Sequence, residues 1–462
     1  METVSAPPAP SSGVRRGLSG GELLRKVVHM SMGLFALSLR WLGPFWGAVL
    51  ALTALAFNLF LFPRLGGRRL WRQHEVSRGS SIGIVLYPLA VLILILVFYR
   101  RLEVAAAAWG ILAFGDGMAS VVGMQFGRRK LPWNPGKSWL GSIAYVFFGG
   151  MAAAALLLWT APGQYSPAFA LTCGLVTALL AAGLESLPQG LDDNIGVPLL
   201  SGLFLLGLLL TQGRWDDFWA QEGLATRLLL AAAVNAALAG LAYAAKTVDR
   251  SGLVVGFLVG FSIFAFAGWQ GFLILLTFFI IGSACTKIGY RRKAAAKLAQ
   301  EKGGRRGARH ALANAGVGMA CALFLALTPH PVLFGLALAG AFATAASDTA
   351  SSEIGQLLGR RTFLLTTFRP VPRGTEGAVS VEGTLAGVIA SLVIGGLGAL
   401  LGLYPWLGVA FVAVAAFVGT TFESLVGAAL EKRNLLDNEA LNFLNTLVGA
   451  LVAAAFAPLV VP

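Results

Sequence analysis

Apolar residues run through this chain in long blocks, not in the alternation of a surface strand or the one-sided stripe of a soluble helix. Blocks of about 18 or more residues are long enough to cross a bilayer as helix. They predict spans near 27–43, 44–62, 81–99, 104–124, 140–160, 168–184 and 196–212, then 225–245, 252–267, 270–285, 311–328, 331–347, 380–402, 405–422 and 441–461. The expectation is an all-α polytopic membrane protein with about fifteen spans. Polar residues gather in the breaks between blocks, and the mixed-charge break Arg214 to Glu222 divides the chain. We therefore expect a Pro/Ser/Gly-rich disordered tail over 1–20, a transmembrane module over 21–213, a linker over 214–224 and a second transmembrane module over 225–462.

Composition agrees: 57% of the 462 residues are hydrophobic and 12% charged, against about 25% charged in soluble domains. The net charge of +14 could suggest nucleic acid, but the Lys and Arg sit in short loops between apolar blocks, where topology bias explains them. The bilayer is the expected partner and nucleic acid is not. With the N-terminus inside, the basic loops 64–78, 128–137, 246–250 and 287–309 all fall on the cytoplasmic side of the cell's inner membrane, with Arg100 and Arg101 as the exception. The loops after Asp116, Glu185, Asp348 and Glu423 then share that face, where soluble phosphate donors are found. Cys173, Cys285 and Cys321 lie singly in apolar segments, so neither a disulfide framework nor a zinc site is indicated.

One stretch, Gly115 to Arg129, occurs again as Ser347 to Arg361. Asp116, Ser120, Gly123, Gly127, Arg128 and Arg129 match Asp348, Ser352, Gly355, Gly359, Arg360 and Arg361. On a helix the first four form one smooth face with an acid at its end. Such a stripe suits helix packing, though packing does not call for an acid. Gly141-Ser142 recurs as Gly383-Thr384, Glu185-Ser186-Leu187 as Glu423-Ser424-Leu425, and Asp193-Asn194 as Asp437-Asn438. The offsets are 232 (116 to 348), 242 (141 to 383), 238 (185 to 423) and 244 (193 to 437). Four matches in register argue for two related modules, and tandem copies suggest two related reactions.

An acid at the centre of a span costs about 2.5–3.5 kcal/mol on insertion scales, so Asp116 and Glu185 ask for a function. Acids that hold a hard metal, with Lys and Arg on the same face, are what a magnesium nucleotide needs in phosphoryl transfer. A buried ion pair or a helix cap would use the same residues, and Asp192 and Asp193 also suit a loop turn. Gly136-Lys137-Ser138 ends like a P-loop, but Leu131 stands where its first glycine would fall, so that fold is rejected. In the second half, Pro372 to Gly377 is donor-rich and could wrap phosphate or simply join two helices. The basic run Lys287 to His310 suits anionic lipid as well as nucleotide, and Thr286 and Lys287 at a span's end are the better phosphate candidates.

These residues carry resemblances. Arg25-Lys26-Val27-Val28-His29, the Asp116 to Gly127 motif, Lys130 to Ser142, Glu185 to Pro188 and Asp192 to Pro198 resemble phytol kinase, in the CTP-dependent polyprenol kinase family that includes dolichol kinase. Leu140, where dolichol kinases tend to carry Glu, favours the phytol branch. Lys246, Ser251-Gly252, Gly282 to Lys287, Asn314, Ser347 to Gly355, Gly374 to Ser380, Glu382-Gly383-Thr384 and Glu423 to Leu425 resemble the family that contains phytyl-phosphate kinase, with Glu376 where that family commonly has Asn.

The joined resemblances imply a fusion that phosphorylates phytol, or a similar isoprenoid alcohol, to the monophosphate and then the diphosphate, using CTP or another nucleoside triphosphate with Mg2+. The expected catalytic residues are Asp116, Lys137, Glu185, Asp348 and Glu423. Metal ligation is expected of Asp116, Glu185, Asp193, Asp348, Glu353 and Glu423. Nucleotide and phosphate binding falls to Lys26, His29, Ser120, Gly123, Gly127, Ser138, Gly141, Ser142 and Asn194 in the first module, and to Thr286, Lys287, Asn314, Ser352, Gly374, Thr375, Gly383 and Thr384 in the second. Two rivals stand beside this: a single-activity polyprenol kinase or lipid cytidylyltransferase with a regulatory second half, and a lipid-phosphate transporter, since repeats and intramembrane charge also mark transporters. Acids gathered toward one face favour the enzyme.

Overall fold

The computed structural model describes residues 20–65, 82–187, 193–296, 305–375, 377–430 and 437–460. Among the described residues long helices dominate, with two short two-stranded hairpins, so the protein is an all-α polytopic membrane protein. Among the described residues ten helices are long and apolar enough to cross a membrane, and 83–97 and 193–209 are shorter apolar helices. Length and apolarity therefore return a lower count than the fifteen blocks.

Part of the difference lies in two sharp reversals. Gly20–Leu61 and Arg250–Lys287 each count once among the ten, yet each contains a glycine with positive φ, Gly43 (φ 66°, ψ 176°) and Gly268 (φ 67°, ψ −171°). Residues eight apart in a straight helix are about 12 Å apart. A Cβ on Gly47 would instead lie 2.9 Å from Leu39, and one on Gly271 3.6 Å from Ile263. The chain folds back at both glycines, in a backbone region open essentially to glycine alone, at the points where the sequence separates 27–43 from 44–62 and 252–267 from 270–285.

The contacts divide the chain into two compact units, residues 1–188 with 192–206 and residues 189–191 with 207–462. In the first, α1 (Gly20–Gly33) leads through a 3-10 turn into α2 (Leu39–Ala56), followed by α3 (Ile82–Val97) and α4 (Leu102–Gly110). A π-wound stretch, Ile111–Gly115, joins α4 to α5 (Asp116–Phe126), and a hairpin of β1 (Lys130–Leu131) and β2 (Asn134–Ser138) leads to α6 (Trp139–Thr160), α7 (Pro167–Ser186) and α8 (Asp193–Leu209). The second unit contains the short α9 (Trp215–Trp219), α10 (Leu224–Ala244), α11 (Arg250–Lys287), the short α12 (Tyr290–Ala295), α13 (Ala308–Leu327) and α14 (Pro331–Leu358). Then come β3 (Thr362–Leu364), β4 (Ala378–Ser380), α15 (Val381–Leu400), α16 (Leu407–Leu430), α17 (Asn438–Ala455) and the final turn α18 (Ala457–Val460).

Each unit runs its most buried helix through its centre. Val104 to Ala108 and Ile111 to Ala113 in the first unit, and Leu336 to Ala346 in the second, are almost wholly enclosed. Their small side chains allow close helix approach without polar groups; a Cβ on Gly340 would lie 2.7 Å from the Gly449 carbonyl oxygen. Asp116 and Asp348 sit on these two helices.

Both units build the segment beyond the acid in the same way. Lys130 pairs with Ser138 and Thr362 with Ser380, offsets of 232 and 242, so the ten extra residues of the second copy lie in its hairpin loop. Ser138 Oγ accepts from Gly141 N (3.2 Å) and Ser380 Oγ from Gly383 N (3.1 Å), each capping the next helix. A Cβ on Gly123 or on Gly355 would stand 3.1 Å from the capping serine's Oγ. The glycine stripe exists so that the cap can reach the acid-bearing helix.

Candidate active site

In the first unit α1 packs on the π-wound stretch and on α5, bringing Lys26 to Asp116. Lys26 Nζ lies 2.8 Å from Asp116 Oδ2, and His29 Nε2 lies 3.5 Å from the same oxygen. His29 Nε2 is also 3.1 Å from the Leu112 carbonyl, which only accepts, so this nitrogen carries the proton. Tyr87 stacks edge-on against the imidazole at 4.6 Å and donates to the His29 carbonyl (3.3 Å), while Trp109 Nε1 donates to Tyr87 Oη (2.8 Å).

The hairpin brings the second acid. Asn134 Nδ2 donates to the Ser186 carbonyl (3.0 Å) and Trp133 Nε1 to Ser186 Oγ (3.2 Å), which clamps the turn onto the end of α7. Lys137 Nζ then lies 2.7 Å from Glu185 Oε1 and 3.4 Å from Asp193 Oδ2, and it also donates to the Glu185 carbonyl. Between the acids, the buried Tyr145 ring lies against Gly115, where a Cβ would come within 2.9 Å of it. The first unit thus gathers Lys26, His29, Asp116, Lys137, Glu185 and Asp193, with Lys26 on Asp116 and Lys137 shared by Glu185 and Asp193.

The other expected residues divide. Ser120 lies one turn beyond Asp116 on α5, Ser142 in the first turn of α6 and Asn194 in that of α8, all half-buried. Ser138, Gly123 and Gly141 form the packed cap described above, with Ser138 buried, and Gly127 joins it, since a Cβ there would overlap Ser138 Oγ. Asp192 and Glu376 lie outside the described residues.

The second unit arranges its acids differently. Asp348 lies beside Glu423 and Ser352, and Asn445 Nδ2 donates to Glu423 Oε2. Two carboxylates side by side in an apolar span repel each other unless a proton or a cation stands between them. Asn445 Oδ1 is buried without a hydrogen-bond partner among the described residues, so the residue that meets Glu423 keeps a spare amide oxygen, and with the two carboxylates it offers hard donors of the kind magnesium takes. Among the described residues no group of three or more His, Cys, Asp and Glu is placed to hold a metal ion by itself. Glu353, expected at the metal, turns instead to Lys293. That pair is 4% and 1% exposed, and Lys293 Nζ also donates to the carbonyls of Cys285 (3.1 Å) and Thr286 (3.0 Å).

Near this pair lies a cavity of about 620 Å³ lined by Lys246, Thr247, Ser283, Thr286, Lys287, Gly289, Tyr290, Arg291, Arg292 and Arg306. Among the described residues five cations and no carboxylate face it, a strong attraction for polyphosphate. Thr286 and Lys287 are there as expected. Thr286 spends its hydroxyl proton on the Gly282 carbonyl (2.9 Å). Asn314 lies elsewhere, buried, donating to the His310 carbonyl (3.0 Å). Thr375 Oγ1 donates to the Pro372 carbonyl (2.8 Å) beside Gly374 (φ 81°), so these two make a turn; Gly383 belongs to the helix cap and Thr384 to the first turn of α15.

Lys293, Arg306, Asn445 and Tyr87 have no place in the sequence-level site. Lys293 and Arg306 sit in a run of basic residues whose types do not tell two buried cations from their exposed neighbours. Asn445, a polar residue inside an apolar block, was a usable signal. Burial pulls the Arg306 guanidinium down to about 10, with Glu353 acting against it.

The family model described as Integral membrane protein DUF92 matches residues 233–450. An uncharacterized membrane protein of Synechocystis is 43% identical over 243 residues, 52% of this chain and 94% of the relative. Protein VTE6, chloroplastic, of Arabidopsis thaliana is 38% identical over 213 residues, 44% of this chain and 64% of that one. A probable chloroplastic phytol kinase of Triticum aestivum is 34% identical over 213 residues, 41% and 69% of the two chains. No solved structure matches the chain. On these matches the chain belongs to the DUF92 family of integral membrane proteins.

Proposed function

We propose that this protein is a prenyl-alcohol kinase that carries a second kinase site: the first unit phosphorylates phytol or a similar prenyl alcohol, and the second phosphorylates the resulting monophosphate. The similarity to proteins named phytol kinase supports the first step. CTP or another nucleoside triphosphate is the donor in both, from the cytoplasmic side of the cell's inner membrane.

The observation that carries the reading is the contrast between the acids. A prenyl alcohol must lose its proton as its oxygen attacks the γ-phosphorus and the bond to the β-phosphate oxygen breaks, releasing the nucleoside diphosphate. Asp116, held ionised by Lys26, takes that proton, while Lys137 beside Glu185 and Asp193 meets the donor's phosphates. A monophosphate needs no base, since its own oxygen is already anionic, but it must approach another polyphosphate. Charge screening is then the main demand. In the second unit Asp348, Glu423 and Asn445 would hold magnesium, which supplies that screening when bound, and the basic cavity adds to it. A monophosphate kept in the bilayer also meets a second site on the same chain at high effective concentration.

Conversion of supplied phytyl phosphate to diphosphate by Asp348→Asn and Glu423→Gln proteins tests this. Loss of an essential electrostatic group costs about 100- to 1,000-fold in rate, so both variants should fall that far. Activity within a few-fold of the parent in both would remove the carboxylates from the reaction.

A further inference from the structure

Beside the basic cavity, three spanning helices enclose an apolar groove of about 140 Å³. Leu238 and Ala242 of α10, Gly256, Leu276 and Phe279 of α11 and Ala315 of α13 line it, with Asn235, Arg306, His310 and Asn314 as its polar lining. Arg306 lines both the groove and the cavity. Its backbone is fixed on both sides, N donating to the Thr247 carbonyl (3.0 Å) and O accepting from Asp249 N (3.1 Å). The guanidinium stands 5.8 Å from the ring centres of Phe278 and of Phe279. Nη2 is buried with no hydrogen-bond partner among the described residues.

We infer that this groove seats the head-proximal part of a single-chain prenyl monophosphate, with Arg306 holding the phosphate where the groove meets the cavity that takes the donor's phosphates. A buried guanidinium on a fixed backbone, with an unused N–H, is a receptor for a paired-oxygen anion, because its planar fork matches phosphate. An anion arriving along an apolar groove must carry a hydrocarbon tail. The volume is well below the roughly 300–1,000 Å³ that encloses a drug-sized ligand, so the groove takes one chain next to its phosphate and not the two tails of a phospholipid. A Cβ on Gly256 would meet nothing within 4 Å, so the groove's wall at this glycine is open space. The identity of the ligand as a prenyl phosphate rests on the proposed second phosphorylation; the groove and its receptor do not.

Photocrosslinking decides it. Purified full-length protein is irradiated with a diazirine analogue of phytyl phosphate and the labelled peptides are mapped. Label should fall on the groove-lining parts of α10 and α11, be competed by phytyl phosphate but not by phosphatidic acid, and drop about tenfold in Arg306→Gln. Gly256→Leu, which fills the groove while improving helix propensity, should lower it similarly. Label spread over both units, equal competition by phosphatidic acid, or indifference to both substitutions would overturn the assignment. Groove labelling in a protein that makes no diphosphate keeps the groove and removes the proposed second reaction. Diphosphate synthesis with label elsewhere does the reverse.

Discussion

Lys293 shows how much a single charged residue holds together here. It and Glu353 are 1% and 4% exposed, and the ammonium also ties down two carbonyls at the end of α11. Removing one member of a buried pair leaves an uncompensated charge, at about 3–5 kcal/mol. Lys293→Met should therefore lower the melting temperature of the purified protein sharply, and adding Glu353→Leu should restore much of it. A single variant that melts like the parent would show that the pair is not buried as described. Little of this was legible in the sequence. An acid in an apolar block is costly, which marks Asp116 and Asp348, whereas Lys26 and Lys137 stand out only as nearby cations. Which cation meets which acid depends on how α1 and the hairpin fold back. Ser138 and Gly123 were legible as a motif yet not as a cap and its clearance, since phosphate loops and helix caps use the same residue types.

Among the elements, blocks of apolar residues announce their helices by length alone, which is why the fold class was readable throughout. Their boundaries were readable where punctuation is strong: Gly43-Pro44 and Gly268 fall between predicted spans and prove to be reversals. Both need a positive φ with extended ψ, a region that costs a residue with a Cβ about 1–3 kcal/mol. Gly43→Ala and Gly268→Ala should each lower the melting temperature in detergent, whereas Gly256→Ala, in an ordinary helical position with open space around it, should not. Equal behaviour of all three would contradict the reversals. The π-wound stretch before Asp116 had no comparable signal, because nothing in Ile111–Gly115 distinguishes a wide turn from a regular one.

At the scale of the whole molecule, two units repeat one construction, a buried acid-bearing helix, a hairpin and a serine-capped helix, and then diverge at the acids. In the first unit ammonium groups neutralise Asp116 and Glu185; in the second Asp348 and Glu423 meet each other and Asn445. The repeat was legible as offsets of 232 to 244 residues, and the divergence was not, because Asp348 and Glu423 occupy the same motif positions as Asp116 and Glu185. If the units perform successive phosphorylations, their sites must fail separately. The most direct measurement tracks labelled phytol and, in parallel, labelled phytyl phosphate through well-folded Asp116→Asn protein supplied with magnesium and CTP. Separate sites predict a loss of about 100- to 1,000-fold in monophosphate formed from phytol, with diphosphate still made from supplied phytyl phosphate at the parental rate. Equal loss of both conversions would contradict two sites and leave a single shared one.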